Sequence, residues 1–145
     1  MGENSKSKKT KRHEERELAF ILLFEQMVQK DDLESIISDA KDARDVEVSN
    51  YTRRIAEGVI EKKEEIDKLI EANLKGWKIN RISKPSLVIM RVAVYEMLYV
   101  DKTLVKVFIN EAVELAKQYA ASGDSGFVNG VLGAIARNCQ KSGDE

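Results

Sequence analysis

The chain has 145 residues, with a single proline and a single cysteine, and its formal net charge at pH 7 is -1. This length can bury a sizeable core, one cysteine excludes an intramolecular disulfide, and a near-neutral chain needs local clustering of basic residues to bind nucleic acid. The sequence has no apolar run of membrane-spanning length and no apolar core of a secretion signal, so a cytoplasmic location is expected.

Residues 1–13 are predicted to form a disordered basic arm. After Met1 they contain no apolar residue, and five basic residues stand against one acid, Glu3. Such a composition cannot bury enough apolar surface to order the chain. From Glu14 the composition changes, and apolar residues dominate residues 18–28. This run is apolar nearly all round, which predicts a first helix that is buried on more than one side.

The middle of the chain shows helical spacing of apolar residues. It predicts a short amphipathic helix over 33–43 and a longer helix over 51–74, which follows a polar connection. Gly76 is a plausible stop for the longer helix. Ser83 and Pro85 then mark a new helix start, because proline is tolerated in the first turn of a helix.

The segment 85–100 is the most apolar of the chain and is predicted to be the central buried helix. Arg91 and Glu96 interrupt it, so each needs a partner or a route to solvent. Two further helices are predicted over 105–121 and 125–139. The expected fold class is all-α, with one helical domain over 14–140, subdomains of about 14–78 and 79–140, and a frayed tail over 141–145.

The residues that catalysis or metal binding would need are sparse. His13 is the single histidine, so a serine or cysteine triad and a zinc site both lack side chains. The glycines after residue 122 are not followed by the Gly-Lys-Ser/Thr sequence of a phosphate loop. We therefore expect no catalytic residue, no metal and no cofactor, and we expect that the protein is not an enzyme.

Two features of the sequence could contribute to binding, although each also has a structural explanation. The basic arm and Arg16, one helical turn after Arg12, can attract RNA phosphates, although a solubilising tail explains the arm equally well. Gly130 and Gly133 lie inside the last predicted helix, where each costs about 1 kcal/mol relative to alanine. Close approach of another helix is the favoured explanation for them. Trp77 is interpreted as a lid on the core.

Several segments resemble the NusB family of transcription antitermination factors. The specific signal is KVFINEAVELAKQY at 106–119 followed by FVNGVL at 127–132. MRVAVYEM at 90–97 and the stretch 69–77 are similar to the central part of the family. RHEERELAFILLFE at 12–25 is similar to its arginine-bearing first helix. The resemblance covers about residues 12–137.

This resemblance implies a fold of two packed three-helix bundles and a role as an RNA-binding adaptor. Its RNA would be boxA, a single-stranded element of ribosomal RNA leader transcripts. Its protein partner would be NusE, a ribosomal small-subunit protein, and the complex would act on RNA polymerase to suppress premature termination. The RNA contacts implied by position are Lys8, Lys9, Lys11, Arg12, Arg16, Phe24, Tyr119 and Phe127. The NusE contacts implied are Ser86, Arg91, Gly123 and Asp124.

Other functions stay open at this point. The chain could be a helical module that dimerises through apolar faces without specific RNA binding, and a homodimer is possible in either case. It could also be an accessory domain for RNA methylation, since similar domains occur fused to RNA-cytosine methyltransferases. A helix-turn-helix DNA binder is disfavoured because the late helices are too apolar to provide a basic recognition helix.

Overall fold

The computed structural model describes residues 3–143, with side chains described for residues 11–139. Within these residues the chain is helical and contains no strand, which confirms the predicted all-α class. The α-helices are α1 Glu3–Gln29, α2 Leu33–Arg44, α3 Asn50–Glu61, α4 Lys63–Ala72, α5 Lys84–Tyr95, α6 Val105–Tyr119 and α7 Asp124–Gly143. Short 3-10 helices occupy Ile79–Arg81 and Lys102–Leu104, and a π turn occupies Glu96–Val100.

The contacts divide the chain into two compact units, Met1–Gly58 and Val59–Glu145. The boundary therefore falls within α3, whereas the sequence predicted subdomains that meet near residue 78. Residues 51–74 were predicted as one helix, but the α-helical geometry is interrupted at Lys62, where φ is -100° and ψ is 14°. No Gly or Pro marks this break, so apolar spacing alone could not locate it. Each unit is described separately below.

Helix α1 begins earlier than the sequence analysis expected. Its backbone is helical from Glu3, where a disordered arm over 1–13 was predicted. Residues 3–29 contain neither glycine nor proline, the two residues that most disfavour a helix. The helix that the apolar residues 18–28 form can therefore continue towards the N-terminus. Residues 1 and 2 and the side chains of Lys8 and Lys9 lie outside the described part of the chain.

Helix α2 closes a small core in the first unit. Ile36, Ile37 and Ala40 on α2 are buried with Leu22 of α1 in one cluster. The side chain of Asp32 caps the helix, because its carboxylate accepts a hydrogen bond of 2.8 Å from the backbone N–H of Ser35. The cap satisfies one of the N–H groups that a helix start leaves without a partner.

Replacing Asp32 with alanine should lower the free energy of unfolding by about 1 kcal/mol, because the N–H of Ser35 loses its acceptor. Urea denaturation followed by circular dichroism measures the change. Asp31→Ala is the matched control, since Asp31 is also exposed but its carboxylate has no capping contact. Equal losses in the two variants would contradict the capping role.

Helix α5 forms the centre of the second unit, as the sequence predicted. Eight of its twelve residues are buried, and it packs against α4, α6 and α7. Ser83 caps its start, with Pro85 in the first turn. The α-helical geometry ends at Tyr95 and continues as the π turn, although a single helix to residue 100 was expected. The N–H of Asp101 donates to the carbonyl of Glu96 at 3.1 Å across this turn.

The surroundings of two glycines in α7 differ from the predicted close approach of another helix. A Cβ atom added at Gly130 would meet nothing within 4 Å, and one at Gly133 would meet only the Arg137 guanidinium, at 3.4 Å. The predicted close approach is therefore wrong at both positions. Helical glycines look alike in sequence whether they face a neighbour or open space, which is why the pattern could not decide.

Candidate RNA and partner interface

The basic residues of α1 include one arginine that is held in place on the surface. Arg12 is 55% exposed, and its guanidinium carbon lies 3.7 Å from the centroid of the Tyr51 ring. Its Nη1 atom lies 3.8 Å from Oε1 of Glu15. One guanidinium face thus rests on the aromatic ring, a favourable cation–π geometry. Lys11 beside it is exposed.

Tyr51 is itself fixed by the start of α3. The side-chain oxygen of Ser49 accepts a hydrogen bond from the N–H of Thr52 at 3.1 Å. The hydroxyl of Thr52 donates to the backbone carbonyl of Glu15 at 2.9 Å, and Thr52 is buried. This bond ties α3 to α1 one turn after Arg12. The aromatic support of Arg12 was not predicted, because the two residues are far apart in sequence.

Arg16 lies in a different environment from Arg12. Its exposed fraction is 4%, and its polar atoms are engaged within the protein. A side chain covered to this extent presents almost no surface to a phosphate. The predicted RNA contact of Arg16 is untested and stays a prediction, while the burial favours a role in holding α1.

Phe24 lies far from Arg12 along the same helix. Twelve residues of α-helix correspond to about 18 Å along the axis. Phe24 is half-buried, with its ring centroid 6.0 Å from that of Phe20 and a tilt of 32° between the planes. The candidate RNA contacts on α1 therefore do not form a single cluster.

In the second unit, two aromatic candidates flank the loop between α6 and α7. Tyr119 ends α6 and is 36% exposed, and Phe127 lies in the first turn of α7 and is half-buried. The Phe127 ring contacts Trp77, with centroids 6.3 Å apart and an angle of 55° between the planes. Trp77 covers Phe127 but is itself 56% exposed, so the predicted lid is only partial.

Three of the predicted partner-binding residues come together at the start of α5. Oδ2 of Asp124 accepts hydrogen bonds from the hydroxyls of Ser83 and Ser86, each at 3.0 Å. Gly123 precedes this carboxylate with φ of +93°, a left-handed conformation that favours glycine. Ser86 is 1% exposed, so its hydroxyl serves this internal bond. Ser83 was missed as part of the cluster, although its helix-capping position was recognised.

Arg91, the fourth predicted partner contact, is engaged in an ion pair. Its Nε and Nη2 atoms each donate to one carboxylate oxygen of Asp67 at 2.8 Å. The side chains are 11% and 22% exposed. This bidentate pair joins α4 to α5 and supplies the partner that the sequence analysis required for a charge in the central helix.

Other kinds of site find little support in the described side chains. Among them, no group of three His, Cys, Asp or Glu residues is placed so that it could hold a metal ion. No helix in the described range has both the length and the apolar character needed to cross a membrane. What remains at the surface of these helices is a set of basic, aromatic and hydrogen-bonded groups. The fold and the site thus define a small all-helical protein with surfaces suited to binding.

Comparison with known proteins identifies the family. The NusB family model matches residues 13–137. A relative from Clostridium novyi (strain NT), named transcription antitermination protein NusB, is 43% identical over 130 residues, which cover 87% of this chain and 98% of the relative. The chain therefore belongs to the NusB family.

Solved structures agree with this assignment. A structure of T. maritima NusB has a TM-score of 0.77 and 33% sequence identity, and the match covers 87% of this chain and 90% of that one. A crystal structure of the antitermination factors NusB and NusE in complex with dsRNA matches with a TM-score of 0.78 at 23% identity, covering 88% and 96% of the two chains. The second likeness supports the fold alone.

Proposed function

We propose that this protein is a transcription antitermination factor that binds boxA-type single-stranded RNA in ribosomal RNA leader transcripts together with NusE. In this role it suppresses premature termination by RNA polymerase and acts in the cytoplasm. The observation that carries the proposal is the NusB family match over residues 13–137. The chain performs no chemical step here, because holding an RNA and a protein partner requires only contact surfaces.

The surface beside Arg12 supplies one part of the RNA contact. With its face against Tyr51, the guanidinium keeps N–H groups at its edge for phosphate oxygens, and Lys11 adds a second positive charge. Binding releases counterions from the RNA, which makes the affinity depend on salt. Because the Tyr51 ring already restricts the arginine, less side-chain entropy is lost when RNA binds. Lys8 and Lys9, which the family resemblance also implies as RNA contacts, are included in the proposed RNA site.

The loop between α6 and α7 offers a physical route for cooperation between RNA and NusE. The proposed NusE contacts Gly123 and Asp124 lie between the proposed RNA contacts Tyr119 and Phe127 in the chain. A ligand that fixes this short segment lowers the entropy cost of binding the other ligand. Linkage then requires NusE to raise RNA affinity by the same factor as RNA raises NusE affinity.

The double variant Lys11→Gln/Arg12→Gln should weaken binding of boxA-like RNA about tenfold near 0.15 M salt, because two phosphate contacts are lost. Each lost contact should also reduce the slope of log affinity against log salt concentration by about 0.7, the value for single strands. Fluorescence anisotropy of labelled boxA-like and scrambled RNA, with NusE present and over a salt series, measures this. The control Lys41→Gln/Lys63→Gln makes the same change in net charge at exposed positions outside α1.

Arg12→Lys separates charge from stacking, because lysine keeps the charge but lacks the planar group that rests on Tyr51. An intermediate loss of affinity is expected for it. If boxA-like and scrambled RNA bind equally, the proposal of boxA recognition fails. If the Lys11/Arg12 variant binds like the control variant, the RNA site has been assigned to the wrong surface.

A further inference from the structure

A second basic surface lies in the unit Val59–Glu145, in the connection between α4 and α5. The chain contains no acidic residue from Ala72 to Tyr95. We define the basic loop as residues 75–84. Its four cationic side chains are exposed, and within the described residues none of them makes an ion pair or a side-chain hydrogen bond. They are Lys75, Lys78, Arg81 and Lys84.

The acidic groups near the basic loop accept hydrogen bonds or pair with Arg91, and among the described side chains none of them forms an ion pair with the four cations of the loop. Oε2 of Glu71 accepts the backbone N–H of Ile79 at 3.2 Å. Asp124 accepts the two serine hydroxyls at the start of α5, and Asp67 holds Arg91. Glu71 and Asp124 keep their negative charge, but the four cations of the loop outnumber them, and the excess positive charge stays available to an anionic ligand.

An exposed aromatic ring lies among these cations. Trp77 is 56% exposed, the largest value among the exposed large hydrophobic side chains of the described structure. Phe127 supports it on one side, at 6.3 Å between ring centroids. An aromatic ring that is both supported and largely exposed offers a place for a base to stack, and stacking requires a base that is not already paired in a duplex.

The basic loop is held in shape before any ligand arrives. Lys75 and Gly76 have φ of +50° and +92°, which reverses the chain after α4. The N–H of Trp77 donates to the carbonyl of Leu74 at 3.2 Å, and that of Arg81 donates to the carbonyl of Lys78 at 2.9 Å. Such a loop loses less conformational entropy on binding than an unstructured basic segment would.

We propose that the basic loop and Trp77 form a second contact surface for single-stranded RNA. One unpaired base stacks on Trp77, and the phosphates beside it contact the four cations of the loop. The inference rests on the proposed function for the identity of the RNA, and it adds a surface to that function. An acidic protein segment would pair with the cations, whereas single-stranded RNA would pair with the cations and also stack an unpaired base on the indole.

The experiment uses the full chain, in which Trp77 is the single tryptophan and hence a site-specific fluorescence reporter. Unlabelled single-stranded boxA-like RNA is titrated against tryptophan emission, and labelled RNA is followed in parallel by anisotropy. We expect quenching that saturates at the same RNA concentration as the anisotropy. Trp77→Ala should weaken binding about tenfold, and Trp77→Phe should restore most of the affinity, since stacking tolerates another aromatic ring.

The charge contribution is tested by the quadruple variant Lys75→Gln/Lys78→Gln/Arg81→Gln/Lys84→Gln. We expect affinity to fall about tenfold or more near 0.15 M salt, with a salt slope smaller by about 2 to 3. The matched control replaces four exposed lysines outside the loop and changes the net charge equally; these are Lys41, Lys63, Lys68 and Lys106. Thermal melting by circular dichroism establishes that the variants remain folded.

The possible outcomes separate the two proposals. If RNA binds but tryptophan emission does not change, or if the quadruple variant behaves like its control, the second surface is overturned and the proposed function stands. If no single-stranded RNA binds with or without NusE, both proposals fail. If polyglutamate quenches Trp77 and competes as strongly as RNA, the surface belongs to an acidic partner and the RNA assignment is overturned.

Discussion

Asp67→Ala should lower the free energy of unfolding by about 2 to 3 kcal/mol, because it leaves the Arg91 guanidinium without its carboxylate in a mostly covered position. This loss of stability is smaller than the loss expected for a fully buried pair, because the two side chains remain 11% and 22% exposed. Arg91→Ala should lower the free energy of unfolding by a similar amount, because it leaves the Asp67 carboxylate without its cation. It also removes the aliphatic part of the arginine side chain from α5. Urea denaturation measures both variants.

A double-mutant cycle isolates the pair from these side effects. The double variant, with Asp67→Ala and Arg91→Ala together, leaves no unpaired charge and should be less destabilised than the sum of the single variants by about 2 kcal/mol. An exposed pair provides the comparison. Arg53 contacts Glu57 one helical turn away at 3.1 Å, and this contact should contribute less than about 1 kcal/mol. Equal coupling in the two pairs would contradict the importance given to burial.

The cycle also bears on the proposed contact between Arg91 and NusE. If Arg91 acts by holding α4 against α5, Asp67→Ala should impair NusE binding as much as Arg91→Ala does. If Arg91 contacts NusE directly, only Arg91→Ala should weaken binding strongly, because Asp67→Ala leaves the guanidinium in place. NusE affinity measured well below the unfolding temperature of each variant distinguishes these two cases.

Much of the fold could be predicted from apolar spacing. The central helix after Ser83 was predicted from a run of apolar residues that is too long for an exposed helix. Arg91 within it was correctly expected to need a partner. The identity of that partner could not be predicted, because Asp67 lies in a charged segment that resembles any solvated helix face. Its selection depends on how α4 packs beside α5, which is a tertiary effect.

The errors of sequence reasoning have a common physical origin. The break at Lys62 and the π turn after Tyr95 occur without glycine or proline, so packing overrides local helix propensity at both places. The open surroundings of Gly130 depend likewise on which neighbours α7 has. Helical periodicity shows which residues share a face, and it does not show what covers that face.

The candidate RNA site illustrates the same limit. Arg12 and Arg16 are one turn apart and point in nearly the same direction from α1, so their spacing in the sequence does not distinguish their surroundings. The structure places Arg12 over Tyr51 at the surface and leaves Arg16 only 4% exposed. Trp77 was interpreted as a lid on the core, and the extent of its exposure became visible only in the structure. The acid-free stretch around it was the available signal.

Asp124→Ala should have the second large effect, on stability and on NusE binding together. It removes the acceptor of two hydroxyl donors, and the Ser86 hydroxyl is then buried at 1% exposure without a charged partner. We expect the free energy of unfolding to fall by about 2 kcal/mol, since an unsatisfied buried donor costs about 1 to 3 kcal/mol. Asp124→Asn, which keeps one acceptor oxygen but no charge, should lose about half as much.

The effect on cooperation is the sharper test of the proposed function. Because Asp124 ties the loop before α7 to the start of α5, its loss should reduce the gain in RNA affinity that NusE provides. RNA affinity without NusE should stay within about twofold, since the basic residues are unchanged and twofold is only about 0.4 kcal/mol. Ser83→Ala is the control, because Asp124 keeps its bond to Ser86 there. A full NusE effect in a folded Asp124→Ala protein would exclude this cluster as the element that couples the two ligands.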